Sequence, residues 1–160
     1  MSFAELTASL NYPMFVVTAG FSGEVDGCLV GFATQGSIDP PRFLACLSRA
    51  NRTYRVAERA SALAVHALRR DQRELGRLFG EQTGDDVDKF AGCRWELDPA
   101  GPPVLLDCPA RFVGAIVTRI PLGDHVGFLL DPLDQAGPPL DVRDWLGFQD
   151  VTDFSPGHPA

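Results

Sequence analysis

The chain has few cysteines and none in a paired motif: Cys28, Cys46, Cys93 and Cys108 stand amid apolar sequence with no C-x-x-C spacing. That excludes a thiol-ligated zinc knuckle and a thioredoxin-like redox pair, and it fits the reduced, buried thiols of a cytoplasmic protein. No apolar run approaches the roughly 20 residues of a membrane span, and no basic stretch leads into an apolar one at the N-terminus. Neither a membrane contact nor a secretory signal is therefore expected. Positive charge is scarce as well. Lys and Arg number 14 against 21 Asp and Glu, a net charge of −7, with a pI near 4.8. A nucleic-acid partner would need a local basic patch. The arginines between Arg42 and Arg77 are mixed with acidic residues and read as a solvated surface. No Walker or dinucleotide-fold glycine loop, no His or Cys pair at zinc spacing and no nucleophile-elbow serine is present.

What is present is an ordinary globular balance, 45% hydrophobic and 22% charged residues. It predicts one domain over residues 1–160, with a core from about 10 to 135 and a tail over 136–160 rich in Pro, Gly and Asp. Ser2 and Glu5 form a capping box for a short helix with Phe3, Leu6 and Leu10 as its stripe, ending before Pro13. Met14 to Ala19 reads as a strand, and Gly20, Gly23 and Asp26-Gly27 punctuate a hairpin whose return strand is Cys28 to Ala33. Further strands are expected at Arg42–Ser48, buried on both faces, at Ala62–Leu68, and at Arg111–Ile120 and His125–Leu133, the last two joined by Pro121-Leu122-Gly123-Asp124. Helices are expected over 51–60 and from Asp71, with Leu75, Leu78 and Phe79 turned inward, then a loop or short helix over Gly80–Asp88 and a short strand near Trp145–Phe148. The fold class is mostly β or α+β: a barrel-like, Greek-key-like sheet with short peripheral helices.

Three clusters could carry chemistry. Asn51-Arg52-Thr53-Tyr54 opens a helix with a cap, a forked cation and a hydroxyl, a set suited to a phosphate and equally to a well-capped surface helix. Gly27 to Ser37 is either a glycine-containing core strand or a place where small residues let a ligand lie against backbone. His125 follows a tight turn, and since Val126, Phe128 and Leu130 share one face of its strand it turns to the other. It is either a turn-fixing histidine or a proton-handling group. His66, within an apolar strand, reads as a satisfied core residue, and His158 lies in the tail.

Taken in order, Ser37-Ile38-Asp39-Pro40-Pro41-Arg42-Phe43-Leu44-Ala45-Cys46-Leu47-Ser48 with Asn51-Arg52-Thr53-Tyr54, then Asp88-Lys89-Phe90-Ala91-Gly92 and Gly123-Asp124-His125, resembles the flavin reductase-like, FMN-binding split-barrel family. The resemblance spans about residues 10–135. It implies a split β-barrel that binds FMN, with FAD as the alternative, and uses NAD(P)H as co-substrate. It also implies a homodimer that serves a separate monooxygenase. Carried over residue by residue, Cys28, Leu29, Val30, Gly31, Thr34, Gln35 and Ser37 would hold ring and ribityl chain, and Asn51, Arg52 and Thr53 the phosphate. Lys89 and Phe90 would lie near flavin or dinucleotide, and His125 beside the ring where nicotinamide stacks. Leu29 and Phe32 stand where the family usually carries hydroxyl-bearing residues, so contacts to the cofactor fall more on backbone. The same two residues keep open a split-barrel flavin or small-ligand binder without NAD(P)H oxidase activity, and a barrel that has lost flavin and acts as a dimeric partner.

Overall fold

The structure is a computed structural model and describes residues 1–85 and 87–157; His158 lies outside the described residues. Strand β1 (Phe15–Phe21) turns through Ser22 and Gly23 into β2 (Glu24–Val30). Ser22 and Gly23 both have positive φ, 50° and 84°, the conformation in which a two-residue turn matches the twist of its strands. The return strand therefore begins at Glu24, four residues before the expected Cys28, and stops at Val30. Beyond it Ala33 N–H donates to Gly31 C=O at 2.9 Å, and a separate strand β3 (Ala33–Ser37) leads to β4 (Arg42–Ser48).

Strand β5 (Ala62–Ala67) is buried throughout, and the long β8 (Arg111–Pro121) and β9 (His125–Ala136) complete one sheet in the order β2-β1-β5-β8-β9-β4-β3. All its pairings are antiparallel. A small hairpin of β6 (Trp95–Leu97) and β7 (Pro103–Leu105) stands apart. The sheet is open, a split barrel. Its curvature shows in the core: β2 and β4 stand five places apart in strand order, yet Cys28 and Val30 share one apolar cluster with Ala45 and Leu47. The sheet thus bends until its two ends face each other across a seam. β4 is less buried than its apolar sequence predicts: Arg42, Phe43, Leu44 and Cys46 are half-buried, and Cys46 lines the seam.

The helices are short. α1 (Phe3–Ala8) has the expected capping box, but its stripe of Phe3, Leu6 and Leu10 faces solvent. α2 spans Arg52–Ala57, less than the expected 51–60, with Asn51 as its cap. α3 (Arg73–Glu81) follows a 3-10 turn at Arg70–Gln72 and packs Leu75, Leu78 and Phe79 inward, as its spacing predicts. Near Trp145–Phe148 two single bridges, Trp145 to Arg69 and Gly147 to Pro13, replace the expected strand. They tie the C-terminal segment to the stretch just before β1, at Pro13, and to the chain just after β5, at Arg69. His66 is a core group: its Nδ1 lies 2.9 Å from Val16 C=O and its Nε2 accepts from Leu105 N–H at 3.0 Å. Burial drives its pKa down to about 4, so it stays neutral.

Candidate functional site at the barrel seam

A cavity of about 340 Å³ opens at the seam between β2 and β4. Cys28, Leu29, Val30, Gly31 and Phe32 form one side, and Cys46, Leu47 and Ser48 the other. Asn51 and His125 close one end, and Tyr12, Met14, Gly80, Phe148, Val151, Phe154 and Pro156 cover the rest. No lining side chain carries a fixed charge. Both lining thiols are held protonated by burial, which pushes Cys28 up to about 12 and also raises Cys46.

Strand alternation explains what β2 offers this cavity. The two-residue turn pairs Phe21 with Glu24, so the backbone groups of residues 24, 26, 28 and 30 face β1 and those of 25, 27 and 29 face the open edge. Two of those edge carbonyls are taken by cations. Arg52 donates to Val25 C=O at 3.2 Å, and Lys89 Nζ to Gly27 C=O at 2.7 Å. The next residue in the alternation is Leu29, which lines the cavity. Its N–H and C=O thus supply a donor and an acceptor side by side, what the edge of a planar, polar-rimmed ring requires. With Ser48, Asn51 and His125 as further polar groups on an otherwise apolar lining, the donor set fits a flavin ring system.

His125 is positioned by its neighbour. Its Nδ1 lies 2.8 Å from Asp124 Oδ1. A carboxylate only accepts, so Nδ1 carries the proton and Nε2 is the ring nitrogen left for the cavity. The same hydrogen bond is the main cause of the lowered pKa of Asp124. On the cavity side the imidazole sits 5.1 Å from the Phe32 ring, which is 56% exposed at the rim.

The expected residues divide. Cys28, Leu29, Val30, Gly31, Asn51 and His125 come together at the cavity. Thr34, Gln35 and Ser37 do not: they lie on β3 at the far edge of the sheet, Thr34 and Gln35 exposed, because the chain leaves the seam at Phe32. Thr53 is fully buried and its hydroxyl donates to Asp26 Oδ2 at 3.1 Å. Arg52 stands 3.6 Å from Glu24 and 3.8 Å from Asp26. Lys89 is 2% exposed, with Nζ 3.9 Å from Asp26 Oδ1, so it is turned into the protein and does not line the cavity. Phe90 packs edge-on against Phe79 and Trp95. Arg52, Lys89 and Phe90 line a polar hollow beside the first half of β2, with Glu24, Asp26 and Asp85 in its wall, and the buried Thr53 stands against Asp26. The three-residue apolar spacing Phe148, Val151, Phe154 was the one signal in the tail that marked cavity residues.

Residues 7–136 match the family described as flavin reductase like domain. This chain belongs to that family. Among related proteins, an FMN reductase (NADH) of Bradyrhizobium diazoefficiens is 29% identical over 77% of this chain and 68% of its own length. The reductase subunit of a flavin-dependent monooxygenase from Rhodococcus jostii is 34% identical over 62% of this chain. The chain spans about half the length of that subunit, 52%, and 36% of a probable flavin reductase of Rhizobium meliloti. Among solved structures, an NADH:FAD oxidoreductase of Streptomyces globisporus superposes with a TM-score of 0.80 at 25% identity, over 91% of this chain and 85% of its own. Within this flavin reductase-like fold the described residues contain no helix long and apolar enough to cross a membrane and no cluster of potential metal ligands.

Proposed function

We propose that this chain is an NAD(P)H-dependent flavin reductase that takes FMN, with FAD as the alternative, in the seam cavity. One observation carries the reading: the open edge of Leu29 and the Asp124-oriented imidazole of His125 meet in one uncharged cavity at the split of the barrel. The related FMN reductase (NADH) and monooxygenase reductase subunit support it. When bound, the flavin supplies the hydride-accepting ring. The residues of the chain bind and orient it. Leu29 backbone would hold the polar rim of the ring, Leu47, Val30 and Phe154 exclude water from its faces, and Ser48 and Asn51 stand at the end from which the ribityl phosphate would leave. His125 Nε2 faces the approach of nicotinamide, where it can accept a hydrogen bond or hold a proton. Lys89 and Arg52 brace β2. Reduced flavin would pass to a separate monooxygenase, two protomers would form a homodimer, and the protein would act in the cytoplasm as one domain.

The test is the anaerobic absorbance spectrum with FMN before and after NADH and then NADPH. A spectral change on adding FMN followed by bleaching with either nucleotide is the expected result. No bleaching with both would sink the reductase reading. That outcome would favour a flavin binder without NAD(P)H oxidase activity, a reading to which Phe32 beside His125 gives some ground.

A further inference from the structure

The segment after residue 136 lies beyond the residues that match the family, yet it returns across the fold and supplies Phe148, Val151, Phe154 and Pro156 to the cavity. Its approach is fixed by main-chain bonds: Met14 N–H donates to Leu146 C=O at 2.8 Å, Leu146 N–H to Leu68 C=O at 2.9 Å, and Phe148 N–H to Tyr12 C=O at 2.8 Å. Past that point α3 takes over. Arg73 grips both carboxylate oxygens of Asp153 at 2.5 Å, and Arg77 stands 3.7 Å from the same carboxylate. The two guanidinium groups lie 4.8 and 4.7 Å from the centre of the Phe154 ring. Arg77 also pairs with Glu81 at 2.9 Å, and Glu81 accepts from Ser155 N–H at 3.0 Å. A ring held by two cations while it lines the cavity is a built wall, and cation–π contacts add to the ion pairs.

We infer that residues 148–157 are a clasped wall of the flavin cavity, in which Phe154 sets how long the ring system stays and Arg73 and Arg77 are positioning residues. This rests on the flavin reading above. The wall is apolar on its inner side, so the part of the ligand it meets is the ring system and not the phosphate. Its ion pairs are solvent-facing, with the Asp153 side chain 61% exposed, so salt weakens the clasp.

The experiment follows release of FMN and of riboflavin, by flavin fluorescence, from the reconstituted wild-type protein and from Phe154→Ala, at low and high salt. Phe154→Ala should speed release of both flavins about tenfold. The double variant Arg73→Gln/Arg77→Gln should show part of that gain and lose the salt dependence, and Arg73→Lys/Arg77→Lys should restore it. Thermal melts accompany each protein. Should Phe154→Ala fail to fold, the surface double variants carry the test. A wild-type protein that holds both flavins while release is unchanged in the variants overturns the inference, as does acceleration of FMN alone. A wild-type protein that holds neither flavin overturns the flavin reading itself, and this inference with it.

Discussion

Strand β2 is one strand with two edges. Over Glu24–Gly27 its outward carbonyls are occupied by Arg52 and Lys89, and its inward-facing Asp26 is 2% exposed against Lys89, Thr53 and Arg52. Over Cys28–Val30 no cation among the described residues bonds the same edge, which opens on a cavity lined by no Asp, Glu, Lys or Arg. The two halves differ by where charge is placed, and the proposed function rests on that difference. An edge strand left bare invites pairing with another chain. Here the carbonyls of the first half are capped by side chains, whereas among the described residues no side chain bonds the Leu29 step. On the proposed reading the split-barrel edge becomes a recognition point at Leu29.

Removing the seal should have the largest effect. Lys89, the only lysine of the chain, is buried opposite Asp26, and truncating it leaves that buried carboxylate to the Arg52 charge and the Thr53 hydroxyl. Lys89→Met should lose about 3–5 kcal/mol of stability in urea unfolding, and flavin affinity should fall with it. Asp26→Asn alone should also destabilise, and the double variant should lose less than the sum of the two, because the unpaired charge is then absent. Strict additivity would mean that the two residues brace β2 independently.

Acid sharpens the contrast between a group buried with a partner charge and one buried neutral. The pKa of His66 is about 4 in the fold against an ordinary 6.5, chiefly through burial. Above pH 6.5 neither state binds the proton, so the linkage is silent. As pH falls from about 6.5 to about 4 the unfolded chain takes up a proton that the folded one refuses, and stability declines by about 3 kcal/mol across that window before levelling off. Urea melts at pH 7.5 and 4.5 should show a smaller decline in His66→Gln than in the wild type. Equal declines would place the acid sensitivity on the carboxylates alone.

The two halves of β2 were unequally legible in the sequence. Element types followed from β-branched runs, caps and turn residues, and β4, β8, β9 and the cap at Asn51 stand within a residue or a few of the expected places. The hairpin departs from expectation because Asp26-Gly27 is a strong turn signal in isolation, whereas Ser22-Gly23 closes the loop sooner. That shift of register decides which carbonyls face the edge, and the stronger Asp26-Gly27 signal masks the Ser22-Gly23 turn that sets it. Cavity residues on β2, with Asn51 and His125, could be found from the family motif. Lys89, Arg52 and Thr53 were drawn toward ligand by the same motif, but their side chains are consumed by Asp26 and β2, a long-range arrangement that spacing cannot show. The tail's share of the cavity was hidden for the same reason, since it depends on α3 and the chain before β1.

The open half is probed first at its polar end. His125→Asn removes the imidazole while keeping a small amide next to Asp124. Reduction of bound flavin by NADH should slow about 10–100-fold in anaerobic stopped-flow, with FMN affinity within about twofold of wild type. Unchanged kinetics would leave His125 a turn-fixing residue held by Asp124. The sealed half gives the opposite pattern. Arg52→Ala should weaken FMN and riboflavin alike and lower stability by about 1–2 kcal/mol, because the side chain serves Val25, Glu24 and Asp26. Loss confined to FMN would return Arg52 to the phosphate.

The smallest expected change is the most discriminating for function. Phe32 is 56% exposed at the cavity rim, 5.1 Å from His125 and 6.5 Å from Tyr12. It holds no buried contact that the fold needs, so Phe32→Ser should shift stability by no more than about 0.5 kcal/mol. Its ring nonetheless stands beside the imidazole on the side from which nicotinamide would arrive. Trimming it should lower the KM for NADH a few-fold, on the order of 1 kcal/mol, without changing FMN release, because Phe154 and the Leu29 edge lie elsewhere in the cavity. A rise in KM would show that Phe32 instead stacks on the nucleotide and helps to hold it. Appearance of NADH oxidation in Phe32→Ser where the wild type has none would mean that the rim aromatic keeps nicotinamide out, and that the protein works as a flavin binder built on a reductase fold.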